Sequence, residues 1–136
     1  MKALSNKSVI ESYFKAFSAG NMESVLQIFH PDCLIVSVRD AARTNGQLHG
    51  TYDTRNQAAD FLANISRLFN TKSFEVETIT EGDNNVVYAN GTFAHEVKST
   101  GKLFLSTWVQ RCIVEDGMIK EYRFYEDSAA YEQAVA

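Results

Sequence analysis

The sequence predicts an α+β fold in which three N-terminal helices cover one face of a curved antiparallel sheet. Amphipathic helical patterns come first along the chain, and nearly everything after residue 73 is strand-like or turn-like. This order is typical of an α+β fold, because a parallel sheet needs helices that alternate with strands. We expect four or five strands. Strands of about 12 residues twist strongly, so the sheet should curl into a cone whose open end forms a pocket.

Apolar spacing and end signals predict the three helices. The first spans residues 5–19, where apolar side chains recur at the intervals of one helix face. Asn21 can cap the second helix, which stops at His30-Pro31 because a proline disfavours helical backbone before it. The third begins at Thr54, with Gln57 as the partner in a capping box.

The strands are predicted from runs rich in β-branched and aromatic residues. A first strand covers residues 33–38. The polar stretch over residues 39–52 contains the turn signal Asn45-Gly46 and reads as a loop with room for a short strand near Leu48. Later strands are expected at residues 74–80, 86–97, 103–114 and 118–125. A final helical turn, which Asp127 and Ser128 can cap, is expected at residues 128–134.

Composition limits the class of protein. The 136 residues fit one domain, 1–136. A net charge of −4 with scattered basic residues argues against nucleic acid as a partner. No apolar run reaches the ~18 residues of a membrane span, and the N-terminus lacks the apolar core of a signal peptide, so we expect a cytoplasmic protein without a membrane partner. Cys33 and Cys112 lie in apolar runs and are expected to be buried free thiols.

Two stretches carry a recognisable family pattern. One is YFKAFSAGN at residues 13–21 followed by FHPD at residues 29–32, and the other is VEDGMIKEYR at residues 114–123. In these stretches the chain resembles the NTF2-like superfamily, and within it the SnoaL-like and ketosteroid-isomerase-like branch. The resemblance spans nearly the whole chain and implies a cone-shaped fold with a small-molecule ligand. The same fold serves enzymes, binding modules and transport factors, so it does not by itself imply one function.

The resemblance also implies where catalytic groups would stand. The base of the isomerases falls at or near Ser37, and the acid of their oxyanion hole falls near Val109 or Gln110. The last-strand aspartate of the cyclases and epoxide hydrolases corresponds to Phe124. None of these residues is a carboxylate. The helix-1 tyrosine of the oxyanion hole is matched by Tyr13.

Which side chains of the last hairpin point inward depends on the turn at Asp116-Gly117. A two-residue turn would put Tyr122 beside Arg111. A type I turn with Gly117 as a bulge would put Tyr122 near Gln110 instead. We favour the second arrangement, because it agrees with the inward positions of the family that the chain resembles.

These considerations nominate a set of site residues. Tyr13 would donate a hydrogen bond to a ligand carbonyl, and His30, His49 or Glu126 would move a proton. Either His49 or His95 could titrate near neutral pH. The residues expected to bind the ligand are Trp108, Gln110, Tyr122, Phe124, Ser37 and His49.

No histidine or cysteine has a partner at metal-ligand spacing, so we expect no metal site and no cofactor. The family resemblance and an exposed sheet face carrying Val109, Arg111, Arg123 and Tyr125 predict a homodimer formed through the sheet.

Two functions remain open at this point. The first is binding of a small apolar or aromatic carbonyl compound, with a cofactor-independent isomerase, cyclase or lyase reaction. The second is a non-catalytic ligand-sensing or dimerising module. Convergence of Gln110, Tyr13 and an ionisable group within ~3 Å of one point would favour catalysis. A closed cone filled by Phe124 and Trp108, without such convergence, would rule out the enzymatic function.

Overall fold

The computed structural model describes residues 5–44 and 46–136, so Asn45 of the predicted turn lies outside the described residues. It confirms the α+β class. The elements are, in chain order, α1 (Asn6–Ser18), α2 (Met22–Ile28), β1 (Phe29–Ser37), β2 (Gly50–Asp53), α3 (Thr54–Leu68), β3 (Phe69–Glu81), β4 (Val86–Val97), β5 (Leu103–Glu115), β6 (Met118–Glu126) and α4 (Ser128–Val135).

The six strands form one sheet in the order β2-β1-β6-β5-β4-β3. Four of the five neighbouring pairs are antiparallel, whereas β1 and β6 run parallel. The expectation of four or five antiparallel strands is therefore wrong in number and in one pairing. No hairpin connects β1 to β6, so no local turn fixes their relative direction.

Side-chain caps begin three of the four helices. Ser5 Oγ accepts a hydrogen bond from the Ser8 N–H at 3.1 Å, and Asn21 Oδ1 accepts one from the Ser24 N–H at 3.2 Å. Asp127 Oδ1 accepts a bond from the N–H of Ala130 at 3.0 Å. Each cap satisfies a backbone N–H that the first helical turn leaves without an internal partner.

The start of α3 differs from the prediction. Its cap residue is Asp53, and no side-chain cap bond is formed there. Gln57 instead accepts a hydrogen bond from the Asp53 N–H at 2.9 Å. The predicted capping box is thus reduced to its second half, with the glutamine one residue further from the cap than the motif requires.

The turn between β5 and β6 is the tight two-residue type. Asp116 and Gly117 have φ values of 56° and 72°, as a type I′ turn requires. The predicted bulge at Gly117 is therefore wrong. Lys120, three residues later, has no opposite partner in the β5–β6 register and forms the bulge instead.

The bulge at Lys120 restores the inward face that was predicted. It places Tyr122 opposite Cys112 and Phe124 opposite Gln110, so neither predicted partner of Tyr122 is right. Side chains alternate between faces with a period of two, and a one-residue shift exchanges the faces. Tyr122 and Phe124 therefore share the buried face with Gln110.

The core lies between the helices and the concave face of the sheet. Its centre holds Trp108, the one tryptophan of the chain, which is 1% exposed. The indole lies opposite Gly91 of β4, where a Cβ atom would overlap the carbonyl oxygen of Glu75 and stand 2.9 Å from the Trp108 ring. A glycine is needed there because a neighbouring strand and an indole both approach the backbone closely.

Candidate functional site

A cavity of about 40 Å³ lies inside the cone, enclosed by α1, α3 and the concave face of the sheet. Most of its wall is aromatic. The side chains in the wall that carry polar groups are Tyr13, Ser37, His95, Tyr122 and Glu126. Because one water needs roughly 10–15 Å³ of such space, the cavity has room for a few waters, and a ring-sized ligand requires side chains to move.

Tyr13 of α1 and Tyr122 of β6 join their hydroxyl groups at one side of this cavity. Tyr13 donates to the Tyr122 oxygen at 3.2 Å, and both residues are almost fully buried. Burial raises the pKa of both phenols, so both are protonated at neutral pH. The bond between them uses one of the two hydroxyl protons, which leaves the other available to a ligand oxygen.

Glu126, the last residue of β6, brings a carboxylate to the same cavity. Its Oε1 lies 3.3 Å from Nε2 of His49, and the two side chains are only 6% and 8% exposed. Its Oε2 is buried and has no hydrogen-bond partner within the part of the chain that the structure describes. Leaving such an oxygen unpaired is costly, so this oxygen is the polar atom of the cavity most in need of a partner.

The histidine of this pair is held from outside by the C-terminal helix. His49 immediately precedes β2, and its ring packs on that of Tyr131 in α4 at a centroid distance of 4.3 Å. Because α4 follows β6 directly, Glu126 and Tyr131 lie on one short segment of the chain. This segment therefore places both side chains that contact His49.

His95 of β4 lines the cavity, although the sequence did not select it as a site residue. Its ring lies between those of Phe69 and Phe93, with centroid distances of 4.5 and 4.3 Å, and its Nδ1 is 3.0 Å from Thr71 Oγ1. Burial lowers the pKa of His95 to about 4, so the prediction that it could titrate near neutral pH is wrong. The alternating burial of β4, which includes Phe93, was the signal that could have found it.

Ser37 and Phe124, two of the residues predicted to bind the ligand, also line the cavity. Both are buried, and the parallel pairing of β1 with β6 places them side by side. Phe124 stacks between Trp108 and Tyr122, with centroid distances of 5.5 and 6.2 Å. It therefore fills the position at which the family resemblance implied an aspartate.

Trp108 and Gln110 lie on the predicted face but outside the cavity wall. Gln110 Nε2 donates to Cys112 Sγ at 3.4 Å, while Gln110 Oε1 and Trp108 Nε1 have no partner among the described residues. Gln110 does not share a hydrogen bond with Tyr13. Because Tyr13 lines the cavity and Gln110 does not, the convergence of Gln110, Tyr13 and an ionisable group that would favour catalysis is not found among the described residues.

His30 is also outside the cavity wall. The predicted helix end at His30-Pro31 is wrong, because α2 ends at Ile28 and β1 begins at Phe29. Phe29 is fully buried, and strand alternation directs the next residue away from the core. The imidazole Nδ1 of His30 accepts a hydrogen bond from the Asp32 N–H at 3.0 Å.

Three further features of the described residues concern metal binding, the cysteines and membrane spans. Over residues 5–44 and 46–136, no three His, Cys, Asp or Glu side chains are grouped so that they could hold a metal ion. Cys33 and Cys112 are buried free thiols, and burial raises the pKa of Cys112 to about 12. None of the described helices is long and apolar enough to cross a membrane.

The polar groups of the cavity can be sorted by the chemistry open to them. The tyrosine pair offers a neutral hydrogen-bond donor, which suits a carbonyl oxygen. The free carboxylate oxygen of Glu126 can accept a proton or a hydrogen bond. Burial is the main cause that raises the pKa of Tyr122, followed by the neighbouring Tyr13 and Cys112 and last by the charge of Glu126.

Comparison with known proteins places this geometry in a family. A family model described as a SnoaL-like domain matches residues 10–122. Among curated proteins, none matches the chain.

Three solved structures illustrate the shared fold. An NTF2-like protein from Burkholderia xenovorans LB400 has a TM-score of 0.83 at 21% identity, over 100% of this chain and 99% of that chain. A Pseudomonas putida KT2440 protein provisionally named a polyketide cyclase has a TM-score of 0.81 at 14% identity, over 98% and 100% of the two chains. TerC, co-crystallised with polyporic acid, has a TM-score of 0.77 at 19% identity, over 97% and 98%.

Proposed function

The chain belongs to the family of SnoaL-like domains, and on this premise we propose that it binds a small, mainly apolar carbonyl compound in the cone and moves a proton on it. The observation that carries the proposal is the buried, unpartnered Oε2 of Glu126 in the same aromatic cavity as the Tyr13–Tyr122 hydroxyl pair. A base and a neutral donor facing one apolar space are the parts that proton abstraction next to a carbonyl requires.

The proposed reaction uses each of these groups once. The tyrosine pair donates a hydrogen bond to the carbonyl oxygen, and Glu126 Oε2 takes a proton from a neighbouring carbon. The electron pair of the broken C–H bond moves to the oxygen and gives an enolate, which accepts a hydrogen bond from the free hydroxyl proton of Tyr122. In a ketone with a carbon–carbon double bond beside the acidic carbon, Glu126 then returns the proton to the far carbon of that double bond. The enolate electrons form the new double bond next to the carbonyl, which completes an isomerisation without a cofactor. His49, bound to Oε1, keeps the carboxylate oriented.

Aromatic ligands are favoured by the composition of the wall. Besides the two tyrosines, the wall includes Phe14, Phe61, Phe93 and Phe124. The relative TerC was co-crystallised with polyporic acid. At 19% identity that likeness extends to the fold, so the aromatic ligand is proposed here from the residues of the wall.

The proton-transfer proposal is tested with β-tetralone, an aromatic ketone with acidic α-hydrogens, in deuterium oxide. We expect the wild-type protein to accelerate exchange of those hydrogens, followed by proton NMR. Glu126→Gln should lower the rate at least about 100-fold, because it removes the base while keeping the side-chain shape. The matched control is Glu132→Gln, an exposed glutamate in α4. Equal exchange rates for wild type and Glu126→Gln would overturn the proposed reaction.

A non-catalytic binding module is the second candidate function. It is favoured by the small size of the closed cavity and by Phe124, which fills the place of the family's aspartate. The same experiment separates the two functions. Binding of β-tetralone, detected by NMR saturation transfer, without faster exchange would support the module.

We also propose that the chain forms a homodimer through the outer face of the sheet. That face exposes apolar side chains, among them Val109 at 48% and its cross-strand neighbour Tyr125 at 41%, and adjacent exposed apolar residues are typical of an interface. Arg111 and Arg123 lie opposite one another on it, and Arg123 is paired with Glu121. Light scattering should give twice the chain mass for wild type and the single mass for Val109→Asp. A wild-type protein of single mass would overturn the dimer.

A further inference from the structure

A groove of about 550 Å³ runs along the outside of the cavity, between the end of α1, α3 and the start of β3. Four side chains belong to both walls: Phe17, Ile65, Phe69 and Phe74. The closed cavity and the open groove are therefore separated by a layer that is one side chain thick.

Three of the four side chains in this separating layer, Phe17, Ile65 and Phe74, are only partly buried. The rings of Phe17 and Phe74 lie 5.7 Å apart, and Phe74 also stacks on Trp108 at 5.0 Å. A rotation of Phe17 together with a shift of Phe74 along the indole would join the two spaces. The joined space lies within the range of roughly 300–1,000 Å³ that ligand pockets occupy, whereas the closed cavity does not.

The groove differs from the cavity in its chemistry. Ser18, Ser66, Thr71 and Ser73 contribute hydroxyl groups, and Lys72 is the one charged residue among the described residues that line it. Lys72 is exposed on a chain whose net charge is −4, so it is a local positive charge on a mainly negative molecule. Such a site attracts an anionic group more than the protein as a whole does.

We infer that the ligand has two parts, an apolar ring in the cavity and an anionic group held in the groove at Lys72. The inference rests on the proposed binding function and adds the class of ligand to it. The ring passes between Phe17 and Phe74, and the acidic group stays in the groove, where serine and threonine hydroxyls donate hydrogen bonds to it. An aromatic carboxylic or sulfonic acid fits this description, whereas a neutral hydrocarbon of the same size uses only half of the site.

Two fluorescent probes with nearly the same rings test the charge requirement. Anilinonaphthalene sulfonate is anionic and N-phenylnaphthylamine is neutral, and energy transfer from Trp108 to either probe reports that it is bound to the protein, while the variants below report where. Lys72→Ala should weaken the sulfonate about fivefold, since one pair of unit charges near water is worth about 1 kcal/mol, and leave the neutral probe unchanged. Lys7→Ala, an exposed lysine of α1 away from the groove, is the matched control.

A second pair of variants tests the groove by its shape. Ser73→Tyr fills the groove from an exposed position of β3, and Thr80→Tyr places the same ring on an exposed position of that strand outside the groove. Ser73→Tyr should weaken the sulfonate at least tenfold, and Thr80→Tyr should not. Circular dichroism of each variant verifies that it is folded.

The outcomes separate this inference from the function on which it rests. If the wild-type protein binds both probes and neither Lys72→Ala nor Ser73→Tyr changes the sulfonate affinity, the two-part ligand is wrong and the binding function stands. An equal effect of Lys72→Ala on both probes also overturns it. If the folded wild-type protein binds neither probe, the proposed binding function itself fails, and the inference fails with it.

Discussion

His95 should make the stability of this protein depend on pH. Its imidazole is buried between Phe69 and Phe93, and burial lowers its pKa to about 4. In the unfolded chain a histidine titrates near 6.5. Between these two values the unfolded state binds more protons than the native state, so stability falls as pH falls. The contribution of the neutral imidazole is complete above pH 6.5 and is lost as pH drops towards 4.

The size of the effect follows from the two pKa values. The full difference of about 2.5 pKa units corresponds to roughly 3 kcal/mol. At pH 5 most of the unfolded histidine is protonated and most of the native one is not, so the loss relative to pH 7.5 is about 2 kcal/mol. With a urea dependence of about 1–3 kcal/mol per molar for a small protein, the midpoint should fall by about 1 M.

Urea unfolding at pH 7.5 and pH 5 measures this loss in the wild type and in His95→Phe. Phenylalanine keeps a ring in the stack and cannot titrate, so the variant should lose about 2 kcal/mol less than the wild type over this range. His95→Gln, which keeps a polar group near Thr71, serves as a second non-titrating variant. Carboxylates titrate in all three proteins and cancel in the comparison. Equal losses for the wild type and both variants would refute the buried, neutral state of His95.

Three further predictions concern packing and capping, and urea unfolding measures each of them. Gly91→Ala should cost about 3 kcal/mol, because its methyl group overlaps the neighbouring strand, whereas Gly101→Ala, with open space around it, should cost about 1 kcal/mol from its positive φ alone. Equal costs would argue against the close approach. Tyr13→Phe and Tyr122→Phe should each cost about 1–3 kcal/mol, and the double variant less than the sum, because they share one hydrogen bond; strict additivity would contradict that bond. Asp127→Ala should cost about 1 kcal/mol by removing the cap of α4, and no change would show that the cap is dispensable.

The long elements were predictable because their signals are local. The strand over residues 86–97 matches β4 at both ends, and the predicted first helix differs from α1 by one residue at each end. β2 was expected only as a short strand near Leu48 and is found at Gly50–Asp53. The parallel pairing of β1 with β6 was missed because it joins residues about ninety positions apart, for which no turn or periodicity gives a sign.

The sequence predicted which face of the sheet each site residue lies on. It did not predict which of the buried residues along a strand line the cavity. Alternation correctly placed Gln110 and Phe124 on the buried face of the last hairpin. It could not tell that Phe124 lines the cavity while Gln110 bonds to Cys112 outside it. The pairing of His49 with Glu126 joins a loop to a strand end far along the chain, and only the folded sheet brings them together.

The carboxylate of this chain is displaced along β6, compared with the position that the family resemblance implied. Phe124 occupies that position and is fixed there by stacking on Trp108 and Tyr122. Glu126 lies two residues further on the same face, a shift of roughly 7 Å along a strand, and has His49 as its neighbour. The proposed base therefore stands beside an imidazole and not within the aromatic stack, so its orientation depends on His49 and not on the rings of β5 and β6.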